Sequence, residues 1–185
     1  MAVRRKKIVS NPKFSDVENI WSKLKIAYIA YIESVQRQAL EEVQGTLLDR
    51  YLAAMSDFLS GNIDRVRLLK VKLRSPDAKI AVVVLDHLSG SELSELFDEL
   101  VFLAASTHWA VQRARAAILR LPREWVLARI EANAEPLLAS GTYDEYRRLL
   151  ELYALLDPML TQRLAERAIQ HPDLDVQEAG HDFLK

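Results

Sequence analysis

"VRLLKVKLRSPDAKIAVVVL", residues 66–85, decides the fold class of this 185-residue chain. Leu69-Lys70-Val71-Lys72-Leu73-Arg74 alternates apolar and basic residues, and Val82–Val84 is a β-branched run. Taken alone, the stretch predicts a strand, a Ser-Pro-Asp turn and a buried strand. Its register with the rest of the chain predicts something else. Aligning "DAKIAVVVLDHL" from Asp77, "HWAVQRARAAIL" from His108 and "DLDVQEAGHDFL" from Asp173 puts a branched apolar residue at +3 (Ile80, Val111, Val176). A smaller one stands at +6 (Val83, Ala114, Ala179) and leucine at +11 (Leu88, Leu119, Leu184). "YDEYRRLLELYA" from Tyr143 fits loosely, with Tyr146 and Leu149 in the two frame positions. Steps of three to four belong to a helix face. Recurrence every thirty-odd residues belongs to stacked helical pairs. The frame favours two helices over a β-hairpin at 66–85, and an all-α chain.

Punctuation agrees with short helices. Gly45, Gly61, Gly90 and Gly141 each follow an apolar-periodic segment, as left-handed helix-ending residues do. Pro122, Pro158 and Pro172 fall between segments. The N-terminal part differs. "SDVENIWSKLKIAYIAYIESVQRQALEEVQ" opens with a capping-box pattern, Ser15 and Glu18. Val17, Ile20, Trp21, Leu24, Tyr28, Tyr31, Ile32, Val35, Ala39 and Val43 then recur at helical steps, predicting one helix about 45 Å long. Its middle, Ile26–Tyr31, is apolar nearly all round and needs cover from its own domain or from a second chain. The predicted organisation is a basic flexible arm (1–13), a long N-terminal helix packed on the body (14–45) and a helical-repeat domain (46–185).

"SPDAKIAVVVLDHL…SGSELSELFDELVFLAAS" and "HPDLDVQEAGHDFL" resemble HEAT repeats of the short bacterial kind, with a Pro-Asp or Asp turn, the +3 and +6 residues and a second helix. The resemblance covers residues 75–185 reasonably, 46–74 weakly and 1–45 not at all. The family's basic residue after +3 stands only at Arg147 and Arg148; elsewhere the place holds Ala81, Gln112 or Gln177. The resemblance implies a right-handed α-solenoid of helical pairs. It also implies a non-catalytic protein–protein interaction module: an adaptor, scaffold or regulatory subunit.

The chemistry-bearing residues fit that reading. There is no phosphate-cradling glycine loop, no HExxH and no GxSxG. The four histidines lack ligand spacing, so no metal or other cofactor is expected. The chain has no cysteine, which suits a reducing compartment such as the cytoplasm, and no apolar run of membrane-spanning length.

Candidate partner contacts are Trp109 and Trp125, both off the inward stripe of their helices, with Arg129 one turn from Trp125. Each tryptophan either fills a seam between repeats or anchors a partner. Phe183 and Leu184 at the end of the last helix join them. Gly180, odd inside that helix, implies close approach of a neighbouring backbone. Basic residues gather in two bands, Arg65–Lys79 and Arg113–Arg129, in which Arg113 and Arg120 are candidate contacts. The arm residues Arg4, Arg5, Lys6 and Lys7 suit an anionic partner. A second reading is therefore a nucleic-acid-binding protein. HEAT-like alkylpurine DNA glycosylases are of similar length and use tryptophans and an acid in a basic groove; Glu124, beside Trp125, is the candidate acid. A third possibility is assembly of copies through the N-terminal helix.

Overall fold

In a computed structural model, residues 14–37, 41–106 and 109–184 are described. The basic arm with Arg4, Arg5, Lys6 and Lys7 lies outside them, as do Ala39 and His108. The described residues form helices and no strand. The chain divides into two compact units between Leu68 and Leu69.

The first unit is a helical hairpin. The expected single helix is two: α1, Phe14–Gln36, and α2, Glu41–Ser60. They run antiparallel, with Trp21 edge-on to Phe58 at 5.8 Å and Tyr28 and Tyr31 both against Tyr51 at 5.6 and 6.0 Å. The Gln44 side-chain amide reaches back to the Ser34 carbonyl at 3.4 Å. The stripe that suggested one helix is continuous because both arms of a hairpin present an apolar face to each other. Trp21, Leu24, Met55 and Phe58 are buried by this packing, whereas Val35 and Val43 stand exposed near the bend. Ser15 sits inside α1 and does not cap it. Gly45 lies inside α2, not past a helix end.

Helix α3, Arg65–Leu73, crosses the boundary between units. The decisive stretch is helical: α3 is followed by α4, Ala78–Val84, and a 3-10 turn at Leu85–His87. Leu68, Leu69 and Leu73 are buried and Val71 is exposed. The apparent alternation is one face of a helix with Val71 on the other side.

The second unit continues with α5 (Gly90–Glu95), α6 (Phe97–Ser106), α7 (Val111–Leu119), α8 (Arg123–Leu127) and α9 (Ile130–Ala139). Three more helices follow: α10 (Tyr143–Leu156), α11 (Pro158–Ala168) and α12 (Leu174–Phe183). Local chemistry sets the starts. Ser89 and Glu92 form a reciprocal capping box at α5, so Gly90 opens a helix and does not close one. At α10 the Thr142 N–H donates to Glu145 at 2.8 Å. At α11 the Asp157 carboxylate accepts from the Met159 and Leu160 N–H groups at 2.8 and 3.2 Å, with Pro158 in the first turn. Gly61 and Gly141 do follow helices, but neither has the positive φ of a left-handed cap. A side chain there would meet the carbonyl of Asp57 or Leu137 at 2.9 or 2.7 Å.

The core gathers round α6, whose Leu100, Val101, Leu103, Ala104 and Ala105 are buried. It packs on α7, α9 and α10, while α10 also packs on α11 and α12. The frame positions Ile80, Val111, Ala114, Val176 and Ala179 are buried. The +11 leucines part company: Leu88 is buried, Leu119 and Leu184 are exposed. Eight residues beyond +3 is about 80° round a continuous helix. Leu88 escapes this because α4 gives way to a tighter turn and Leu88 itself is extended.

Candidate interaction surface

The charges of the second unit are arranged between neighbouring helices. The Arg163 guanidinium grips Glu131 with bonds of 3.0 and 2.9 Å, and Arg167 grips Glu135 with bonds of 2.6 and 2.9 Å. Both join α11 to α9 across 32 residues. Arg147 on α10 donates to Asp182 on α12 at 2.5 Å, 35 residues on. Arg123 donates to Asp157 at 2.6 Å and to the Leu156 carbonyl at 3.1 Å, 34 and 33 residues on. Arg120 caps the end of the α4 region, donating to the Leu85 carbonyl at 2.8 Å and to that of Leu88. Arg113 reaches Asp86 at 2.6 Å. The partners lie 27 to 35 residues apart, so each arginine ties together segments distant in sequence within the second unit.

Arg115 is the buried member of the set. It donates to the Arg148 carbonyl at 2.8 Å and to Glu151 at 2.7 Å, and only 7% of its side chain is exposed. Burial pushes the Glu151 carboxyl up, but the bonds and charges of Arg115 and Arg148 outweigh it and hold the group below its ordinary range. The bond from Arg167 holds Glu135 low in the same way. Burial raises Tyr153 well above an ordinary phenol; its hydroxyl has no hydrogen-bond partner among the described residues.

The sequence-derived candidates divide on this background. Arg113 and Arg120 are committed to bonds within the fold. Trp125 is half-buried, its ring edge-on to Phe97 at 5.0 Å and covered by Arg129 at 4.4 Å. It thus fills a seam against an earlier helix and carries the stacked arginine on its outer face. Trp109 stands 44% exposed just before α7. Glu124 is exposed beside Arg123. Phe183 lies under Arg147 at 5.3 Å. With Leu184 it lines an open groove of about 650 Å³ completed by Ala154, Pro158, Thr161, Gln162 and Asp182. Gly180 brings α12 close onto α11: a Cβ there would meet the Ala165 carbonyl at 2.8 Å and the side chains of Ala168 and Ile169 at 2.9 Å. Leu155 and Met159, at the α10–α11 junction beside this groove, are 56% and 60% exposed. Neither was a candidate from sequence. Their only mark there is the density of apolar residues in "LLDPML", of which Leu156 and Leu160 are the buried pair.

Among the described residues no three histidine or acidic side chains gather as metal ligands, and no helix is long and apolar enough to cross a membrane. Comparison with protein-family models, characterised proteins and solved structures finds no match.

Proposed function

We propose that this chain is a protein-interaction module of the adaptor or scaffold kind, built on a short HEAT-like stack and working in a reducing compartment such as the cytoplasm. The stack is compacted about α6, which touches α10 as well as its nearer neighbours, beyond the strictly sequential contacts of an ideal solenoid. The arginine bridges, most of them 32 to 36 residues long, support the repeat reading. One observation carries the interaction reading: the groove between α11 and the end of α12, with Phe183 and Leu184 on one wall and exposed Leu155 and Met159 beside it. Its size and its mixed lining, Phe183, Leu184 and Pro158 beside Thr161, Gln162 and Asp182, suit an amphipathic helix with both apolar anchors and polar groups, which would lie beside α11 and α12 as α11 lies beside α10. Exposed Trp109 is a second anchor.

Nucleic-acid binding needs a continuous track of cations free to meet phosphates. Arg113, Arg120 and Arg123 are instead turned onto carbonyls and carboxylates of the fold, which favours the protein-binding reading.

The test is affinity capture from native extract by the full chain, read by mass spectrometry beside the paired variant Met159→Asp/Leu184→Asp. Both sites are exposed, so the variant should fold. Proteins retained by the parent and lost with the variant are expected; an identical retained set ends the reading. A gel shift with single- and double-stranded probes at low salt, positive at micromolar protein, would favour nucleic acid instead.

A further inference from the structure

The α1–α2 hairpin carries an apolar groove on the side away from its aromatic seam. It is lined by Ile26, Ala27, Ala30, Leu47 and Ala54 and rimmed by Lys23 and Arg50, with a volume of about 310 Å³. Ile26 is 69% exposed, far more than its own domain would leave if the domain covered it. Lys23, Ile26, Ala30 and Glu33 follow one another at steps of three, four and three, so they share one face of α1.

That order has an unusual property. Read backwards, the spacing is unchanged, the charge is inverted and the large side chain meets the small one. We infer that α1 pairs antiparallel with α1 of a second copy across a two-fold axis at the level of Tyr28. Lys23 then faces Glu33 of the second copy, and Ile26 fills the space over its Ala30. Each contact occurs twice, as a two-fold interface requires. Ala27, Ala30 and Ala54 let the helix axes approach closely, and the knob at Ile26 enters the dent they leave. The same axis brings Arg50 level with Ala54 of the second copy, one turn from its Asp57. Four helices then enclose the groove, as in a four-helix bundle. The weak Glu33–Arg37 contact, 3.5 Å at the exposed surface, leaves Glu33 open to exchange.

Sedimentation velocity of the full chain over a range of concentrations tests this. A dimer is expected. Ile26→Glu, a change at an exposed site that keeps the helical circular dichroism, should weaken association at least ~10-fold. Lys23→Glu should weaken it as well, and Lys23→Glu/Glu33→Lys should restore it, because the pairing is reciprocal. The chain has no cysteine, so register is directly readable. Separately purified Ile26→Cys and Ala30→Cys proteins should crosslink to each other faster than either does to itself. A monomer at all concentrations overturns the inference. So does a dimer indifferent to Ile26→Glu, or one in which charge reversal at both positions fails to rescue.

Discussion

At the scale of single residues, two glycines in helices behave in opposite ways. Gly180 is wedged against the backbone and side chains of α11, with three atoms under 3 Å from where a Cβ would stand. Gly45 has open space around it within α2. Alanine is the better helix former by about 1 kcal/mol at both. Gly45→Ala should therefore stabilise by roughly 0.5–1 kcal/mol. Gly180→Ala should destabilise by a net ~1–2 kcal/mol, because overpacking against a neighbouring backbone exceeds the propensity gain. Urea denaturation of the two variants beside the parent measures both signs. If Gly180→Ala is as stable as the parent, α11 and α12 are not in the contact described. Sequence alone showed that Gly180 was anomalous in a helix and pointed to a close neighbour. It misread Gly45, because a glycine between apolar runs looks the same inside a helix as after one.

At the scale of elements, ion pairs tie α7 to α10, α9 to α11 and α10 to α12, but burial separates them in worth. Arg115 is desolvated and holds both a carbonyl and a carboxylate, and removing it leaves Glu151 dependent on Arg147 and Arg148. Arg115→Met should cost about 2–4 kcal/mol. Arg163→Met, which breaks an equally well-formed but half-exposed pair, should cost no more than about 1 kcal/mol. Chemical denaturation of the two variants gives the comparison, and equal losses would mean that burial is not what distinguishes them. In sequence Arg115 is one cation of the Arg113–Arg129 band and Arg163 lies in neither band, but band membership says nothing of burial. Nothing in their local context separates the buried clamp from the surface pair, since the partners lie more than thirty residues away. Arg113 and Arg120 likewise brace the fold through partners 27 to 35 residues away.

At the scale of the whole molecule, several carboxyls stand below their ordinary range in the fold. Glu135 is lowered by the bond from Arg167. Glu151 is lowered by Arg115 and Arg148 against the upward pull of burial. Asp157 is lowered by the Leu160 and Met159 N–H groups and Arg123, again against burial. In the unfolded chain these groups take up protons at their usual, higher pH. The unfolded state thus binds more protons through the acidic range, and stability rises with pH there. The contribution is complete above the ordinary carboxyl range and disappears as pH falls through the lowered values. Thermal midpoints should hold steady near neutrality and fall as pH drops below about 4.5. Glu151→Gln should be less stable near neutrality and show a shallower acid decline. A parallel decline in parent and variant would remove Glu151 from the account.

What the amino-acid order determined by itself was the local and periodic part: helices throughout, short turns, the buried frame residues Ile80, Val111 and Val176, and the crowding at Gly180. Those follow from side-chain spacing and helix geometry, which act within a few residues. Only the tertiary structure decided that α1 and α2 pack on each other through their tyrosines, that Trp125 sits against Phe97, and that Leu155 and Met159 stand exposed. A stripe of apolar residues states that a face will be covered but not by what, because the covering surface comes from elsewhere in the chain and its identity is a matter of packing in three dimensions.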